Sequence, residues 1–315
     1  MHRQSHRALV TSAALIVSVV TNLVITDSVH AQVPDSLRAR LEQRIAATPD
    51  AIVGLYYKSL GSGELVTIAA DSSFHAASTM KVPVMIEFYR QVERKGLAEQ
   101  QPVLLINQFA SIVDGSPFSV APLDDSDSTM YLRIGQRVPA RELVERMIIR
   151  SSNLATNAII ALVGASRADS TAHALGARNI RVLRGVEDGK AFQKGLNNTT
   201  TARDLGVLLE AIEKRSAASP RSCRAMLDIL ARQEFNGEIP AGLPPGTRVA
   251  HKTGQITAVL HDAALVYLPG TSPYVLVVLT RNIPNERVAR TLIADLSRLV
   301  YEHVAPPSAA SRAPR

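Results

Sequence analysis

A serine and a lysine three positions apart could provide a nucleophile and its base. Ser78 and Lys81 are the ends of the only S-x-x-K pattern in the chain, at the predicted start of a helix. Residues at i and i+3 share a helix face, so the lysine amine could reach the serine hydroxyl. A serine hydroxyl is a weak nucleophile unless a base activates it, and a lysine with a depressed pKa can serve. Taken alone, the pattern is more typical of a helix N-cap followed by a solvated lysine.

Two further elements change that balance. Ser151 and Asn153 lie in the break between two predicted helices, where a hydroxyl and a carboxamide can both point into a cleft. Lys252, Thr253 and Gly254 follow at the predicted end of a strand, where a glycine lets another backbone approach closely. Each element is ordinary by itself. Their order along the chain, and their positions at a helix start, a loop and a strand end, favour one shared active site.

The combination S-x-x-K, S-x-N and K-T-G resembles the class A β-lactamases and penicillin-binding proteins. The resemblance runs from about residue 32 to residue 304. Local matches beyond the three motifs are Ala76 and Ala77 before Ser78, Met147 and Asn157 around the Ser151 loop, and the run Thr199-Thr200-Thr201. The resemblance implies an α+β fold, in which an antiparallel sheet made by the N- and C-terminal segments carries flanking helices and an inserted all-helical lobe, with the active site between them.

The resemblance also implies roles for individual residues. Ser78 would be the acylated nucleophile and Lys81 its neighbouring base. Ser151 would pass a proton to the leaving nitrogen, and Lys252 would keep that hydroxyl polarised. Asn153 would hydrogen-bond the acylamide side chain of the substrate.

The strand motif would bind the rest of the substrate. Lys252 and Thr253 would face its carboxylate, and Gly254 would let its backbone approach. The backbone N–H groups of Ser78 and Gln255 would form the oxyanion hole. Arg281 is a weak candidate for the arginine that often assists in carboxylate binding.

A lactamase must also hydrolyse its acyl-enzyme, and the expected glutamate for this step is Glu187, 12 residues before Thr199. The sequence departs from the family here. Ala191 stands where an asparagine would help to hold the water, and Asn198 where an aspartate would pair with an arginine to brace the loop. Arg184, Asp188, Asn197 and Asn198 could brace a remodelled loop instead. Ser152 likewise replaces the usual aspartate between Ser151 and Asn153.

Three function hypotheses therefore stand. The first is a serine β-lactamase that hydrolyses the lactam amide through an acyl-enzyme on Ser78. The second is a penicillin-binding D-alanyl-D-alanine carboxypeptidase acting on cell-wall peptide. The third is a β-lactam-binding sensor domain that is acylated without turnover. The intact Ser78, Lys81, Ser151 and Lys252 argue against a silent domain, whereas Ala191 keeps the second and third hypotheses open.

Composition excludes other classes. The 315 residues are 46% hydrophobic and 20% charged, which is typical of a globular chain. The net charge of +7, from 35 basic and 28 acidic residues, could suggest nucleic-acid binding, but there is no Trp and only 4% of residues are aromatic. One cysteine, Cys223, gives no disulfide framework, and the histidines lack metal-ligand spacing. We therefore expect an anionic small-molecule substrate, no cofactor, no metal and no nucleic-acid partner.

The N-terminus has the pattern of a cleaved signal peptide. Arg3 and Arg7 precede an apolar run over residues 8–25, and Val29-His30-Ala31 has the shape of a cleavage site. A transmembrane anchor is the alternative, but polar interruptions and the cleavage site favour removal. We therefore predict a signal peptide over residues 1–31, a catalytic domain over 32–305 and a disordered tail over 306–315. Within the domain, the α/β lobe would comprise 32–77 and 241–305, and the helical lobe 78–240. The mature protein would be an exported, periplasmic or secreted monomer.

Overall fold

A computed structural model describes residues 36–305 of the chain. The predicted signal peptide, residues 1–31, and the predicted tail, residues 306–315, lie outside the described residues. The described residues belong to one compact unit. Within this range, no helix has the length and apolar character needed to cross a membrane.

A five-stranded antiparallel sheet joins the two ends of the described chain. Its strands are β1 (Ile52–Ser59), β2 (Leu65–Ile68), β9 (Arg248–Ile256), β10 (Val259–Tyr267) and β11 (Tyr274–Arg281), in the order β2-β1-β11-β10-β9. Because β1 pairs along its whole length with β11, the N-terminal hairpin of β1 and β2 forms one side of a sheet that the C-terminal strands complete. This is the sheet that the predicted fold class requires.

Helices and short strands fill the rest of the chain. The helices are α1 (Leu37–Ala46), α2 (Lys81–Glu93), α3 (Ala140–Ile149), α4 (Asn153–Val163), α5 (Ala165–Ala174), α6 (Gly189–Gln193), α7 (Ala202–Glu213), α8 (Pro220–Leu230) and α9 (Glu286–Val304). The short strands are β3 (Phe74–His75), β4 (Pro102–Leu104), β5 (Phe109–Ala110), β6 (Pro117–Phe118), β7 (Arg137–Pro139) and β8 (Thr199–Thr200). These pair as β3 with β8, β4 with β7 and β5 with β6.

The sheet separates two hydrophobic cores. Successive strand residues point to opposite faces, so β11 sends Leu276 and Val278 toward α1 and α9, and Val275 and Val277 toward the helices inserted between β2 and β9. Both faces are therefore buried, which explains why β10 and β11 read as nearly continuous apolar runs in the sequence. Packing on both faces of the sheet fixes the position of β9, the edge strand that carries the K-T-G motif.

Two boundaries differ from the sequence prediction in ways that matter for the site. The strand expected to end at the K-T-G motif continues to Ile256, because its antiparallel pairing with β10 persists to the pair Ile256 and Val259. Ser78 was expected to open an α-helix, but it lies in a 3₁₀ turn, Ala77–Met80, and α2 begins only at Lys81. The serine and the lysine are therefore on successive helical segments.

The Ser/Asp-rich stretch over residues 109–133 is ordered around the active-site cleft. Its first part is a hairpin, residues 109–118, formed by β5 and β6. Two 3₁₀ turns follow, Pro122–Asp124 and Ser128–Arg133. None of these short elements has a periodicity that the sequence alone could reveal.

Close packing between the sheet and α7 gives a stability prediction. Gly206 lies inside α7, and a Cβ at this position would be 2.4 Å from the Tyr56 ring. The ring cannot easily move, because Tyr56 is buried and donates a hydrogen bond to Glu210. We predict that Gly206→Ala lowers the free energy of unfolding by ~1–3 kcal/mol through overpacking, although alanine in a helix is ordinarily ~1 kcal/mol better than glycine.

Thermal and urea unfolding measure this effect. Gly189→Ala is the matched control, since a Cβ at this helical glycine meets nothing within 4 Å. Equal stability of the two variants would contradict the packing described.

Candidate active site

Ser78 is held in a strained turn that presses against strand β9. The preceding residue, Ala77, has a φ of +46°, a conformation that L-residues rarely adopt. Its backbone N–H donates to Nδ1 of His75 at 3.1 Å. On the other side, a Cβ at Gly254 would lie 3.1 Å from the Ser78 backbone nitrogen. Glycine at position 254 therefore makes room for the chain's own serine segment, which sequence reasoning had attributed to an approaching substrate.

Lys81 is fully buried and binds the loop between α3 and α4. Its Nζ donates to the backbone oxygen of Ser151 at 2.6 Å, to Ser151 Oγ at 3.1 Å and to Asn153 Oδ1 at 3.0 Å. Ser151 has a φ of +56°, so this loop turns sharply to present both its carbonyl and its hydroxyl. All three polar contacts of the amine are thus with one short segment.

Lys252 reaches the same hydroxyl from the sheet. It is fully buried in β9, and its Nζ donates to Ser151 Oγ at 3.0 Å and to the Thr253 carbonyl at 2.8 Å. A residue on the sheet edge and a residue at the helix start therefore converge on Ser151. This convergence was expected from the order of the motifs, and the geometry is consistent with it.

Burial lowers the pKa of both lysines, and for Lys81 the positive charge of Lys252 adds to this effect. Burial is the largest cause for Lys81, followed by the positive charge of Lys252, and together they bring its pKa well below the usual range. Burial also lowers the pKa of Lys252 to about 7, against the opposing effect of Asp262 and Glu238. A buried ammonium loses hydration that protein dipoles replace only in part. Both effects favour the neutral amine of Lys81, which is the form that can act as a base.

One sequence expectation is not met directly. Among the hydrogen bonds of residues 36–305, none joins Lys81 to the hydroxyl of Ser78; the amine is occupied by the Ser151 loop. In unliganded enzymes catalytic hydrogen bonds are often longer than in the reacting complex. Lys81 therefore remains the candidate base.

Asn153 connects the lysine to the loop that carries Glu187. Its Nδ2 donates to the Asp124 carbonyl at 2.9 Å and lies 3.5 Å from Glu187 Oε1. Loss of solvation raises the pKa of Glu187, and the negative charge of Asp124 adds to this, against the positive charges of Arg184 and Lys81. Glu187 has a φ of +62°, so the backbone is strained at the residue proposed from sequence for the hydrolytic step.

Amide hydrogen bonds brace the loop before Glu187. The side-chain oxygen of Asn198 accepts from the backbone nitrogens of Leu183 and Arg184 at 2.8 and 3.1 Å, and its Nδ2 donates to the Arg184 carbonyl at 3.0 Å. The Arg184 guanidinium donates to Asn197 Oδ1 at 3.1 Å and to two backbone carbonyls. Arg184, Asn197 and Asn198 were expected as substitutes for an arginine–aspartate pair, and all three take part.

Asp188 ties the loop after Glu187 to the hairpin over residues 109–118. Its carboxylate accepts from Ser111 Oγ at 2.9 Å, from the Ile112 backbone nitrogen at 3.0 Å and from the Ala191 nitrogen at 3.1 Å. These hydrogen bonds lower the pKa of the carboxyl, although burial opposes them. Glu187 thus lies between two anchored residues, Arg184 before it and Asp188 directly after it.

A carboxylate from elsewhere in the chain meets Ser152. Asp125 accepts from Ser152 Oγ at 3.3 Å, from the Leu154 backbone nitrogen at 2.8 Å and from Tyr131 Oη at 3.0 Å. The start of α4 is therefore capped by a side chain 27 or more residues away in sequence. Sequence reasoning missed Asp125, since nothing in a local pattern indicates this contact.

The remaining site residues line two cavities. One, of about 400 Å³, is bordered by Ser78, Asn153, Glu187 and Gln255. A smaller one, of about 100 Å³, is bordered by Ser78, Ser151, Thr253, Gly254, Gln255 and Arg290. A larger apolar groove of about 530 Å³ lies along Gly185 and Asn157 and does not include Ser78. Within residues 36–305 no cluster of His, Cys, Asp and Glu could hold a metal ion.

The arginine beside the serine is Arg290, not Arg281. Arg281 packs over the Phe74 ring at 5.1 Å from its centroid and donates to the Ser73 carbonyl at 3.1 Å. Arg290 projects from α9 into the smaller cavity. Sequence reasoning missed it because α9 is an ordinary amphipathic helix whose register against β9 only the fold reveals.

Two buried lysines converge on the hydroxyl of Ser151, which lines the same cavity as a second serine, Ser78. The model of the β-lactamase enzyme family matches residues 36–304, and the chain belongs to that family.

Known proteins that are similar to this chain include β-lactamases and PBP-A. The chain is 26% identical over 270 residues to a β-lactamase from Streptomyces albus G, covering 83% of each chain. Its structure is similar to that of PBP-A, with 31% identity, a TM-score of 0.73, and coverage of 85% of this chain and 95% of that one. It is also similar to a β-lactamase from Sphaerobacter thermophilus DSM 20745, with 28% identity, a TM-score of 0.74, and coverage of 85% and 98%.

The amide brace gives a prediction about the loop. Asn198→Ala removes an acceptor for two backbone N–H groups and a donor to a carbonyl. Buried unpaired groups cost ~1–3 kcal/mol, so the free energy of unfolding should fall by ~1–3 kcal/mol. Hydrolysis of an acyl-enzyme on Ser78 should slow with it, because the brace holds the backbone that leads to Glu187.

Asn197→Ala is the matched control, since the Asn197 side chain accepts only from Arg184. It should show a smaller loss of stability and little change in rate. Comparable effects of the two variants, in urea unfolding and in rapid-quench measurement of acyl-enzyme hydrolysis, would contradict the brace.

Proposed function

We propose that the protein is a serine β-lactamase that hydrolyses the lactam amide through an acyl-enzyme on Ser78. The observation that carries this proposal is the convergence of Lys81 and Lys252 on the Ser151 hydroxyl beside Ser78. Glu187 and Ser78 both line the cavity of about 400 Å³. These positions supply the separate groups that acylation and hydrolysis need.

Acylation begins with attack of Ser78 Oγ on the lactam carbonyl carbon. The hydroxyl proton passes to the neutral amine of Lys81, a form that its lowered pKa favours. As the C–N bond of the ring breaks, Ser151 donates its proton to the departing nitrogen and recovers one from the Lys81 ammonium, 3.1 Å away. The result is an ester on Ser78, a neutral ring nitrogen and a neutral Lys81.

Backbone N–H groups stabilise the negative charge that develops on the carbonyl oxygen. We assign this role to the nitrogens of Ser78 and Gln255, because Gly254 brings strand β9 against the Ser78 nitrogen. Fixed donors aimed at a developing oxyanion contribute ~3–4 kcal/mol each to catalysis.

Hydrolysis of the ester requires a base for water. Glu187 fits this role since its pKa is raised by desolvation and by Asp124, which makes it a stronger base than an ordinary carboxylate. Asn153 Nδ2, 3.5 Å from its Oε1, helps to orient it. Water attacks the ester carbonyl carbon while Glu187 takes its proton. The bond between Ser78 Oγ and the acyl carbon then breaks, and the proton held by Glu187 returns to Ser78 Oγ, which releases the acid and restores both side chains.

A penicillin-binding carboxypeptidase is the second candidate function. Its support is the similarity to PBP-A, a variant of which was solved as an acyl-enzyme complex with penicillin G. Ala191 also gives no side-chain amide to hold a water near Glu187. In this alternative the same acylation occurs, the donor substrate is cell-wall peptide, and D-alanine leaves. A sensor domain, acylated without turnover, is the third.

Time-resolved mass spectrometry with a chromogenic cephalosporin separates these functions. Rapid product formation with little adduct supports the lactamase. A persistent adduct on Ser78 together with release of D-alanine from a model peptide supports the carboxypeptidase. A persistent adduct with neither activity indicates a sensor.

Export belongs to the same proposal. β-Lactams and cell-wall peptides are encountered outside the cytoplasm, and the pattern of residues 1–31 is that of a signal peptide. We infer a periplasmic or secreted protein that meets its small-molecule substrate there and contributes to β-lactam resistance. N-terminal sequencing of the exported protein should begin after Ala31.

The role of Glu187 can be tested by one isosteric change. Glu187→Gln keeps the size and removes the base, so we expect the acyl-enzyme to accumulate and its hydrolysis to slow by about 10²–10⁴-fold. Acylation should change much less. Intact-protein mass spectrometry after mixing with penicillin G measures both steps.

Glu42→Gln, at an exposed carboxylate on α1, is the control for loss of one negative charge. It should turn over like the unmodified protein. Undiminished hydrolysis in Glu187→Gln would remove Glu187 from the mechanism.

A further inference from the structure

The guanidinium that lines the smaller cavity is already engaged by the protein's own carboxylates. Arg290 pairs through Nη1 with Glu238. Its Nε and Nη2 donate to Glu286 Oε1 at 2.9 and 2.6 Å. Nη2 also lies 3.4 Å from Gln255 Oε1. One positive charge is therefore matched by two negative charges at the place where an anionic group of a substrate would bind.

The two carboxylates differ in their environment. The Glu286 side chain is 51% exposed, so solvent screens its charge. Glu238 is only 1% exposed, lines the same cavity as Ser78, and its Oε2 has no hydrogen-bond partner within residues 36–305. A buried carboxylate with one free oxygen is costly to maintain. Its position beside Ser78 therefore calls for a functional explanation.

The fold makes special room for the Glu238–Arg290 pair. A Cβ at Gly237 would lie 2.7 Å from Arg290 Nη1, so glycine at this position lets the guanidinium reach its partner. Glu238 precedes the 3₁₀ turn Ile239–Gly242, which packs on α9. Both members of the pair are thus fixed by neighbouring elements, and neither can turn away freely.

We propose that Glu238 is a specificity-determining residue, which competes with the carboxylate of the substrate for Arg290. The inference rests on the proposed function, because it concerns how the β-lactam is recognised at the same site. A β-lactam that carries a carboxylate beside the ring nitrogen must share or displace this ion pair. A β-lactam whose carboxylate is masked as an ester gains nothing from Arg290 and loses nothing to Glu238.

Other charged groups around Glu238 set the pH dependence. Asp262 faces it from β10, His251 and Lys252 from β9, and Arg290 from α9. Burial, with Asp262, raises the pKa of Glu238 to about 7, against Arg290 and His251. Glu238 is neutral below this pH and charged above it. Competition for Arg290 should therefore be strong at pH 8 and weak at pH 6.

The test compares two substrates on three proteins. Glu238→Gln keeps the side-chain volume and removes the charge, and Glu286→Gln removes the screened charge on the same guanidinium. The substrates are penicillin G and its methyl ester, and the readout is kcat/KM for acylation of Ser78 at pH 8. We expect Glu238→Gln to gain about tenfold on penicillin G, as for loss of one competing charge in a desolvated pair, and to be unchanged on the ester. Glu286→Gln should gain less than about twofold.

Two controls make the result specific. Loss of Glu238 also removes a charge that supports protonation of Lys252, and this would weaken carboxylate binding, so it cannot produce the expected gain. Adding Arg290→Gln to Glu238→Gln should abolish the gain, since the competition requires the guanidinium. At pH 6 the advantage of Glu238→Gln should disappear.

Several outcomes overturn the proposal. Equal gains on both substrates, equal gains in both glutamate variants, or a gain that survives Arg290→Gln would show a general charge effect. If Glu238→Gln does not fold, Arg290→Gln decides: between pH 8 and pH 6 the preference of the unmodified protein for penicillin G over the ester must rise by more than that of Arg290→Gln, in which the titration of Lys252 remains. An equal rise in the two proteins contradicts the competition. Failure of penicillin G to acylate Ser78 in the unmodified protein would instead refute the proposed function, and this inference with it.

Discussion

Two ammonium groups, both fully buried, meet on a single hydroxyl, and the rest of the site is arranged around this constraint. Lys81 and Lys252 each lie within hydrogen-bond distance of Ser151 Oγ. Two positive charges so close together in a poorly solvated place would repel each other strongly. The low pKa of both amines resolves the conflict, because one of them can be neutral at physiological pH. A neutral amine avoids the cost of burying two nearby positive charges, and it is also the form that can act as a base. The stability of the fold and the proposed chemistry therefore depend on the same protonation state.

The loop that carries Glu187 illustrates how a family feature can be preserved with different atoms. Asn198 and Asn197 hold Arg184 by amide and carbonyl hydrogen bonds, and Asp188 anchors the far side to the hairpin over residues 109–118. Hydrogen bonds of this kind depend on geometry more than on charge, and salt screens them little. The loop is therefore fixed on both sides without an arginine–aspartate pair.

The sequence alone was enough to predict the residues at the centre of the site. Residues of Ser78-Thr79-Met80-Lys81, Ser151 and Lys252 stand in recognisable local motifs, and the apolar runs of β10 and β11 identify the sheet. These features depend on local patterns, which is why they could be read without a fold. The exact start of α2 and the end of β9 could not, since tertiary pairing decides them.

The site residues that could not be predicted from the sequence were missed for one physical reason. Asp125 caps α4 from 27 or more residues away, Arg290 enters the cavity from a C-terminal helix, and Glu238 reaches it from a 3₁₀ turn. Each contact joins segments distant in sequence, and the residues involved have no distinguishing neighbours. Arg281 was a weak candidate for the substrate arginine, and its side chain packs on Phe74 outside the cavities described for residues 36–305.

The protonation state of Lys81 is the most direct test of this account. NMR titration of the protein carrying isotope-labelled lysine ε-groups, with Lys81→Arg and Lys252→Arg used to assign the two signals, would measure both pKa values. The account predicts that the pKa of Lys81 lies well below the ordinary lysine value and that Lys252 titrates at about 7. Titration of Lys81 near the ordinary lysine value of about 10.4 would contradict it, because no neutral amine would then be available to activate Ser78.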